Sequence, residues 1–419
     1  MTSDLLHDVG YTLRSAQTWR DPYPMYAALR AHDPVHHVAA TPEQDDFWVL
    51  TRHADVLAAA DDPATFSSAQ GLTVTRGEIE AIGMADNPPM VMLDPPRHTQ
   101  FRKLVARGFT PRQVGEIEPK VRAFVVEHLD ALPHDGPVDI VGELFKPLPS
   151  MVVAHYLGVP EQDWGRFDAW TQSIVGATSG TGGMAAAITS AGDATMQLLT
   201  YFTELISLRK TEPGDDTVSQ LVSAGLADDP ADPSGLLSIL AFTFTMVAGG
   251  NDTTTGMLGG SVELLHAHPE QRRALVDDPD LIPDAVDELL RLTSPVQGLA
   301  RTTTRDVEYR NTPAGTVTIP AGSRVLLCYG SANRDEAWFG DDAAHLDVTR
   351  RPRNIMTFSH GNHHCLGAAA ARMQARVALT ELLSRYPDFA VDAAGIEWAD
   401  GNYVRRPAHV PFYPVPDPR

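Results

Sequence analysis

Apolar positions recur every three to four residues along most of this chain, the pattern of helices that bury one face. It predicts helices over Pro22–Ala31, Ala54–Ala60, Arg97–Phe109, Pro111–Leu132, Gln162–Val175 and Ala185–Lys210. Five more follow over Asp216–Ala224, Leu236–His266, Pro269–Asp277, Pro283–Leu292 and Leu366–Tyr386. Strand-like runs are short and few: Phe47–Thr51, Val307–Tyr309, Gly315–Ile319 and Arg324–Tyr329, with Ala321–Gly322 as a turn between the last two. Ser67–Asp94 and the glycine cluster Gly176–Gly183 read as mobile loops. No repeat, low-complexity tract or long Ser/Gly linker divides the sequence. The expectation is one domain over residues 1–419, mainly α, with a large helical body and a small β-sheet region.

One stretch tests this reading. Pro233–Asn251 is 19 residues without a charge, close to the length that crosses a bilayer. Ser234, Ser238, Thr243, Thr245 and paired glycines interrupt it, and Asp252 follows directly. It therefore reads as a buried central helix, apolar all round, and not as a membrane span. Met1–Gly10 carries Asp4 and Asp8 and no apolar run, unlike a secretory leader. With 33 Lys+Arg against 54 Asp+Glu, the formal charge of −21 argues against nucleic acid and anionic membranes as partners. The two cysteines, Cys328 and Cys365, are too few for a disulfide framework and wrongly spaced for a zinc ribbon, which fits a cytoplasmic setting.

Candidate chemistry concentrates in Phe358-Ser359-His360-Gly361-Asn362-His363-His364-Cys365-Leu366-Gly367. Cys328, inside an apolar run, reads as a small buried hydrophobe. Cys365 differs, because glycines flank it, titratable side chains crowd it and a helix starts just after it. A helix N-terminus favours a thiolate. Zinc bound by His360, His363, His364 and Cys365 is the competing reading, but a structural zinc site needs further partners elsewhere. In Ala248-Gly249-Gly250-Asn251-Asp252-Thr253-Thr254, adjacent glycines inside a predicted helix cost about 1 kcal/mol each relative to alanine, so they point to a local distortion or a close ligand. An acid followed by an alcohol there suits proton delivery, Asp252 relaying from solvent and Thr253 holding water. His98 and Arg102 are four residues apart and share a helix face, as do Glu288 and Arg291 at a spacing of three.

The pattern Phe-x-x-Gly-x-His-x-Cys-x-Gly ending at Gly367 resembles the haem-binding loop of the cytochrome P-450 superfamily, and the resemblance runs from Asp21-Pro22 to the Tyr403–Pro414 region. It implies haem b held between a long central helix and the cysteine loop, with Cys365 as axial thiolate and Phe358 and Gly367 shaping the loop. It implies that His98, Arg102, Arg301 and His363 meet the haem propionates, four cationic donors on two carboxylates. Glu288, Arg291 and Arg350 would form a buried structural network. Ser359 departs from the glycine many members carry, which implies a different loop dihedral or an added hydroxyl near the sulfur. Family positions for substrate contact fall on Leu72, Val74, Met90, Met92, the Gly176–Gly183 turn, Phe244, Val247, Gly250, Val296, Leu299 and Tyr403. They are mostly apolar, which implies a neutral lipophilic substrate.

The function so implied is a monooxygenase that uses O2, two electrons and two protons to insert one oxygen atom into a small lipophilic molecule. A haem-thiolate peroxygenase or dehydratase is the nearest alternative, against which the Asp252-Thr253 pair counts; a non-catalytic haem sensor is the other. Two cysteines hold no iron–sulfur cluster, so electrons are expected from a separate ferredoxin or flavodoxin with an NAD(P)H-dependent reductase. Positive charge gathers in two segments: Arg97–Arg122 has seven Lys/Arg and two Glu, and Arg350–Arg376 has five Arg and no acid. Lys103, Arg107, Arg112, Arg351, Arg353, Arg372 and Arg376 are the surface candidates for a donor-docking patch.

Overall fold

The computed structural model describes residues 10–81, 85–133, 136–178, 191–229 and 231–414. The principal helices are α1 (Arg97–Val105), α2 (Pro111–Asp130), α3 (Pro147–Leu157), α4 (Trp164–Thr178), α5 (Gly192–Thr211), α6 (Ser234–Ala267), α7 (Ile282–Thr293) and α8 (Ala368–Arg385). The predicted helices agree with these and the shorter ones to within a few residues. Residues 185–190, expected to open α5, lie outside the described residues. Arg97–Phe109 divides, the α-helix giving way after Val105 to a 3-10 turn at Ala106–Phe109.

The 34-residue α6 is the axis of the body, about 51 Å long at 1.5 Å per residue. Helices α3, α4, α5, α7 and α8 pack against it, and α2 lies along α8. It is the one helix among the described residues long and apolar enough to span a membrane. Its flanking by these helices accounts for that apolarity as core. The periodicity did not reveal α3, for two reasons. Its first turn holds Pro147 and Pro149, and nine of its 11 residues are buried, so no polar face marks a helical period.

A five-stranded sheet stands beside the helical body. Its strands are β1 (Val35–Val38), β2 (Phe47–Leu50), β3 (Phe66–Ser67), β4 (Leu299–Thr303) and β5 (Arg324–Leu327), in the order β1-β2-β5-β4-β3. All neighbours are antiparallel except β2 and β5. Ala321–Gly322 does turn the chain, but Gly315–Ile319 and β5 do not pair with each other. Gly315–Ile319 pairs with Val307–Thr312, whereas β5 is buried between β2 and β4. Local turn chemistry cannot tell a hairpin from a strand that leaves for another sheet. Between Ser67 and Asp94, read as a loop, short helical turns form at Glu78–Ala81 and Met90–Met92.

Candidate active site

The cysteine loop is held from three directions. Asn333 fastens its start: its side-chain oxygen accepts from the Met356 N–H at 2.6 Å and its Nδ2 donates to Thr357 Oγ1 at 2.9 Å. From the sheet side, His360 Nδ1 meets Asp61 Oδ1 at 2.7 Å. Gly361 there has φ +62°, and a Cβ on it would sit 2.9 Å from the Ala60 carbonyl oxygen, so only glycine lets the loop approach so closely. From α1, Arg102 donates to the carbonyls of Asn362 at 3.2 Å and His364 at 2.6 Å. The His98 and His363 rings lie 4.3 Å apart.

Ser359 explains itself in this frame. Its φ of +56° and ψ of −167° lie in a region almost reserved for glycine, so serine bears backbone strain there. Its hydroxyl accepts from buried Tyr329 Oη at 3.0 Å.

Cys365 borders open space, two residues before α8's N-cap at Gly367, and its N–H donates to Phe358 O at 2.8 Å. Enclosure by the loop pushes the Cys365 thiol up, and the opposing pull of the Gly367 N–H, Arg102 and Arg372 does not overcome it. Cys328 is wholly buried beside β5, with its thiol pushed up to about 12 by burial.

The four propionate candidates converge only in part as expected. His98 is 1% exposed, and among the described residues neither ring nitrogen has a hydrogen-bond partner. Arg301 is buried in β4, its Nη1 donating to the neighbouring Ala300 carbonyl at 2.8 Å. Burial lowers His98, and burial with Arg301 nearby lowers His363 to about 3, so the expectation of four cationic groups is not met at His363. His363 Nε2 also lies 3.1 Å from Ser68 Oγ, a partner the sequence did not suggest.

On α6, the paired glycines divide their roles. A Cβ on Gly250 would strike Val153 of α3 at 2.8 Å, so Gly250 is a packing contact. A Cβ on Gly249 would meet nothing within 4 Å. Thr253, one turn on and on the same face, donates to the Gly249 carbonyl at 3.0 Å. Asp252 is buried, with Arg406 Nε 2.8 Å from its Oδ1.

The proposed network is complete. Glu288 and Arg291 are fully buried and bidentate at 2.7 Å, and Arg350 Nε joins Glu288 at 3.2 Å. Arg291 also donates to the carbonyls of Asn333 and Ala343.

The substrate candidates fall into two groups. Met90, Phe244 and Val247 are buried in the main helical core, and Met92 is buried nearby in sequence. A cavity of about 360 Å³ lies between residues 87–93, α1 and the start of α6, lined by Met90, Leu93, Phe101, Leu104, Arg97 and Ser238. The second group belongs to the sheet side. Val74 N–H donates to Tyr403 Oη at 2.9 Å, Leu72 O accepts from Ala300, Leu299 lies in β4, and Val296 bridges Val404. Gly176 falls within α4, and residues 179–183 lie outside the described residues.

His98, Arg102 and Arg301 all act on the ring of His363, so these four side chains gather beside the cysteine loop, and among the described residues the two His98 ring nitrogens have no hydrogen-bond partner. The cytochrome P450 family model matches residues 193–392. Over 98% of this chain and 99% of the relative, the sequence is 66% identical to cytochrome P450 130 of Mycobacterium tuberculosis. The chain belongs to the cytochrome P450 family. It is also 36% identical, over 96% of each chain, to the vitamin D(3) 25-hydroxylase of Pseudonocardia autotrophica. Among solved structures, the cytochrome P450 hydroxylase of the leinamycin biosynthetic pathway of Streptomyces atroolivaceus superposes with a TM-score of 0.79 at 35% identity, covering 94% of this chain and 96% of that one. This cytochrome P450 is accordingly a haem monooxygenase acting on a small-molecule substrate, with iron held by a cysteine thiolate.

Three residues had no role assigned from the sequence, although Asn333 and Arg406 lie in segments that carry the family resemblance. Asn333 and Tyr329 act on a loop 23 to 30 residues away, and Arg406 reaches α6 from the far end of the chain.

Arg112, Arg351, Arg372 and Arg376 are paired with Glu116, Asp284, Asp287 and Glu118. The expected patch is therefore smaller than its composition: Lys103, Arg107 and Arg353 are its exposed cations without an acidic partner among the described residues.

Proposed function

We propose that Cys365 supplies the thiolate, that His98, Arg102, Arg301 and His363 receive the propionates, and that Asp252 and Thr253 deliver protons to bound oxygen, all within a single catalytic domain. When bound, haem activates O2 with two electrons, so that one oxygen atom enters the substrate and the other leaves as water. The residues do the rest. Asp252 takes protons from solvent and the Thr253 hydroxyl holds the water that passes them on. Arg301 and His98 desolvate and pair the propionates. The observation that carries this reading is the His98 ring, buried with both nitrogens unsatisfied, because a native buried polar group without a partner is rare.

The substrate we propose is a neutral lipophilic molecule. Met90, Leu93, Phe101 and Leu104 give the cavity aliphatic and aromatic surface beside Arg97, Gln100 and Ser238, while the other family positions Phe244 and Val247 are apolar and buried in α6. Relatives are named for oxidation of vitamin D(3), mycinamicin IV and nocardicin C. Electrons come, on this reading, from an acidic ferredoxin or a flavodoxin with its NAD(P)H-dependent reductase in the cytoplasm, docking at Lys103, Arg107 and Arg353.

The ligand assignment is tested by two single variants. Cys365→Ser is expected to shift the ferrous carbonyl Soret band away from its strongly red-shifted thiolate position, and Cys328→Ser to leave it in place. The reverse result would transfer the ligand role to Cys328.

A further inference from the structure

The C-terminal segment lies across α6 where glycines leave room for it. A Cβ on Gly256 would stand 3.0 Å from the Arg405 carbonyl oxygen and 3.1 Å from Cβ of Arg406, and one on Gly259 would stand 2.4 Å from Cγ of Pro407. Any larger residue at either position would lift the segment off the helix. Asp252 precedes Gly256 by one turn and shares its face. Arg406 is thereby laid against Asp252, with side chains only 7% and 11% exposed.

The segment is pinned on both sides. Arg405 N–H donates to Pro295 O at 2.7 Å, and Ala399 N–H donates to Arg406 O at 3.0 Å. Arg405 turns away from Asp252, with its Nη2 3.7 Å from Glu263 and its guanidinium 3.8 Å above the Trp398 ring. Two adjacent arginines thus reach two acids of α6, and only Arg406 reaches the one beside Thr253.

Taking both charges of such a pair out of water costs about as much as their attraction returns, so stability alone does not account for it. We propose that Arg406 is a positioning residue for proton delivery: by holding Oδ1 it fixes the rotamer in which Asp252 passes protons to the water held by Thr253. The proposal rests on the proton-delivery reading of Asp252. The step moves one proton and no electrons: an O–H bond forms at Asp252 from solvent water and breaks when the proton passes to the water held by Thr253.

The test needs only O2 and deuterated buffer. Haem-loaded wild type, Arg406→Met, Arg406→Lys, Asp252→Asn and the Arg406→Met/Asp252→Asn double variant are checked for loading by their ferrous carbonyl spectra. Each is reduced with dithionite, mixed with oxygenated buffer, and followed back to the ferric form in H2O and D2O. The return passes one electron and one proton to O2, which leaves as protonated superoxide. Asp252→Asn and Arg406→Met are each expected to slow it about 3- to 10-fold and to change the solvent isotope effect, the double variant being no slower than either. Arg406→Lys, which keeps a cation, restores most of the rate. Thermal midpoints of the four proteins in the Arg406→Met cycle are expected to be non-additive.

An unchanged rate and isotope effect in Asp252→Asn would remove the proton-delivery reading and this proposal with it. A slowed Asp252→Asn beside a wild-type Arg406→Met, or losses that multiply in the double variant, would overturn the role of Arg406 alone. If Arg406→Met does not hold haem, Arg406→Gln takes its place with the same readouts. Additive midpoints would mean that the pair does not form in solution.

Discussion

Two buried polar clusters adjoin the cysteine loop, and they differ in one respect. Around Glu288, every charge is answered by protein: Arg291 is bidentate, Arg350 joins from the side, and backbone carbonyls take the remaining guanidinium hydrogens. Around His98, two ring nitrogens are buried with no partner among the described residues. The first cluster is finished when the chain folds. The second is left incomplete, and on the proposed function the haem propionates complete it. A satisfied network marks structure, whereas an unsatisfied one marks a place prepared for something else.

The difference predicts opposite responses to substitution. The largest effect belongs to the finished cluster. Arg291→Ala leaves Glu288 fully buried opposite the single Arg350, and breaking a pair of this kind costs about 3–5 kcal/mol. That is a large share of the roughly 5–15 kcal/mol that holds a typical domain, so a steep loss of folded protein is expected, measured by urea unfolding and haem-loaded yield. A midpoint close to wild type would mean that the network contributes little.

In the incomplete cluster, the sign reverses between the two states of the protein. His98→Phe is expected to stabilise the haem-free protein by about 1–2 kcal/mol, since it removes two unpaired buried nitrogens. It should weaken haem retention roughly tenfold, because a hydrogen bond to a carboxylate is lost. Urea unfolding of the haem-free form and haem transfer to a scavenger protein measure the two. Acid adds a check on sign. Burial holds the folded His98 below its ordinary value, so below about pH 6.5 the unfolded chain binds the extra proton and stability falls. His98→Phe should lose less stability across that window. Loss of stability in the haem-free variant would erase the contrast between the clusters.

A smaller effect is expected at Ser359, on the loop that joins the two regions. Glycine there relieves strain of about 1–3 kcal/mol but leaves Tyr329 without its buried acceptor, at about 1 kcal/mol. Ser359→Gly alone is therefore expected near wild type, and Ser359→Gly with Tyr329→Phe about 1 kcal/mol more stable. Thermal unfolding of both variants decides whether the hydroxyl or the backbone matters more. The smallest effect should come from the outer surface. Reversing Lys103 and Arg107 to Glu ought to slow reduction by an acidic ferredoxin a few-fold at low salt and hardly at all at high salt, since exposed charges are screened beyond roughly 8 Å at physiological ionic strength. The same reversal at Arg112, already paired with Glu116, should do less.

The sequence by itself determined the helical body and the chemistry of the loop. Amphipathic helices announce themselves because burial of one face imposes a period, and Cys365 stood out because its flanking glycines and histidines are contiguous. The Glu288 and Arg291 pair was visible for the same reason, at a spacing that one helical turn converts into contact. Where burial is total the period vanishes, so α3 was not legible, nor was β4, the strand that carries Arg301. Strand partnership was not legible either, because the turn at Ala321–Gly322 has the same chemistry whether it closes a hairpin or sends the chain to another sheet. Net charge along a segment promised a broad basic patch, but packing sets the pairing: Asp284 and Asp287 of α7 meet Arg351 and Arg372, and Glu118 of one basic segment meets Arg376 of the other. Asn333, Tyr329 and Arg406 acquire their roles only through contacts between distant elements. The left-handed φ of Ser359, the lowering of His98 and His363 by burial, and the placing of Arg406 on Asp252 are likewise products of packing. Local pattern fixes which side can be buried; only the assembled structure decides against what.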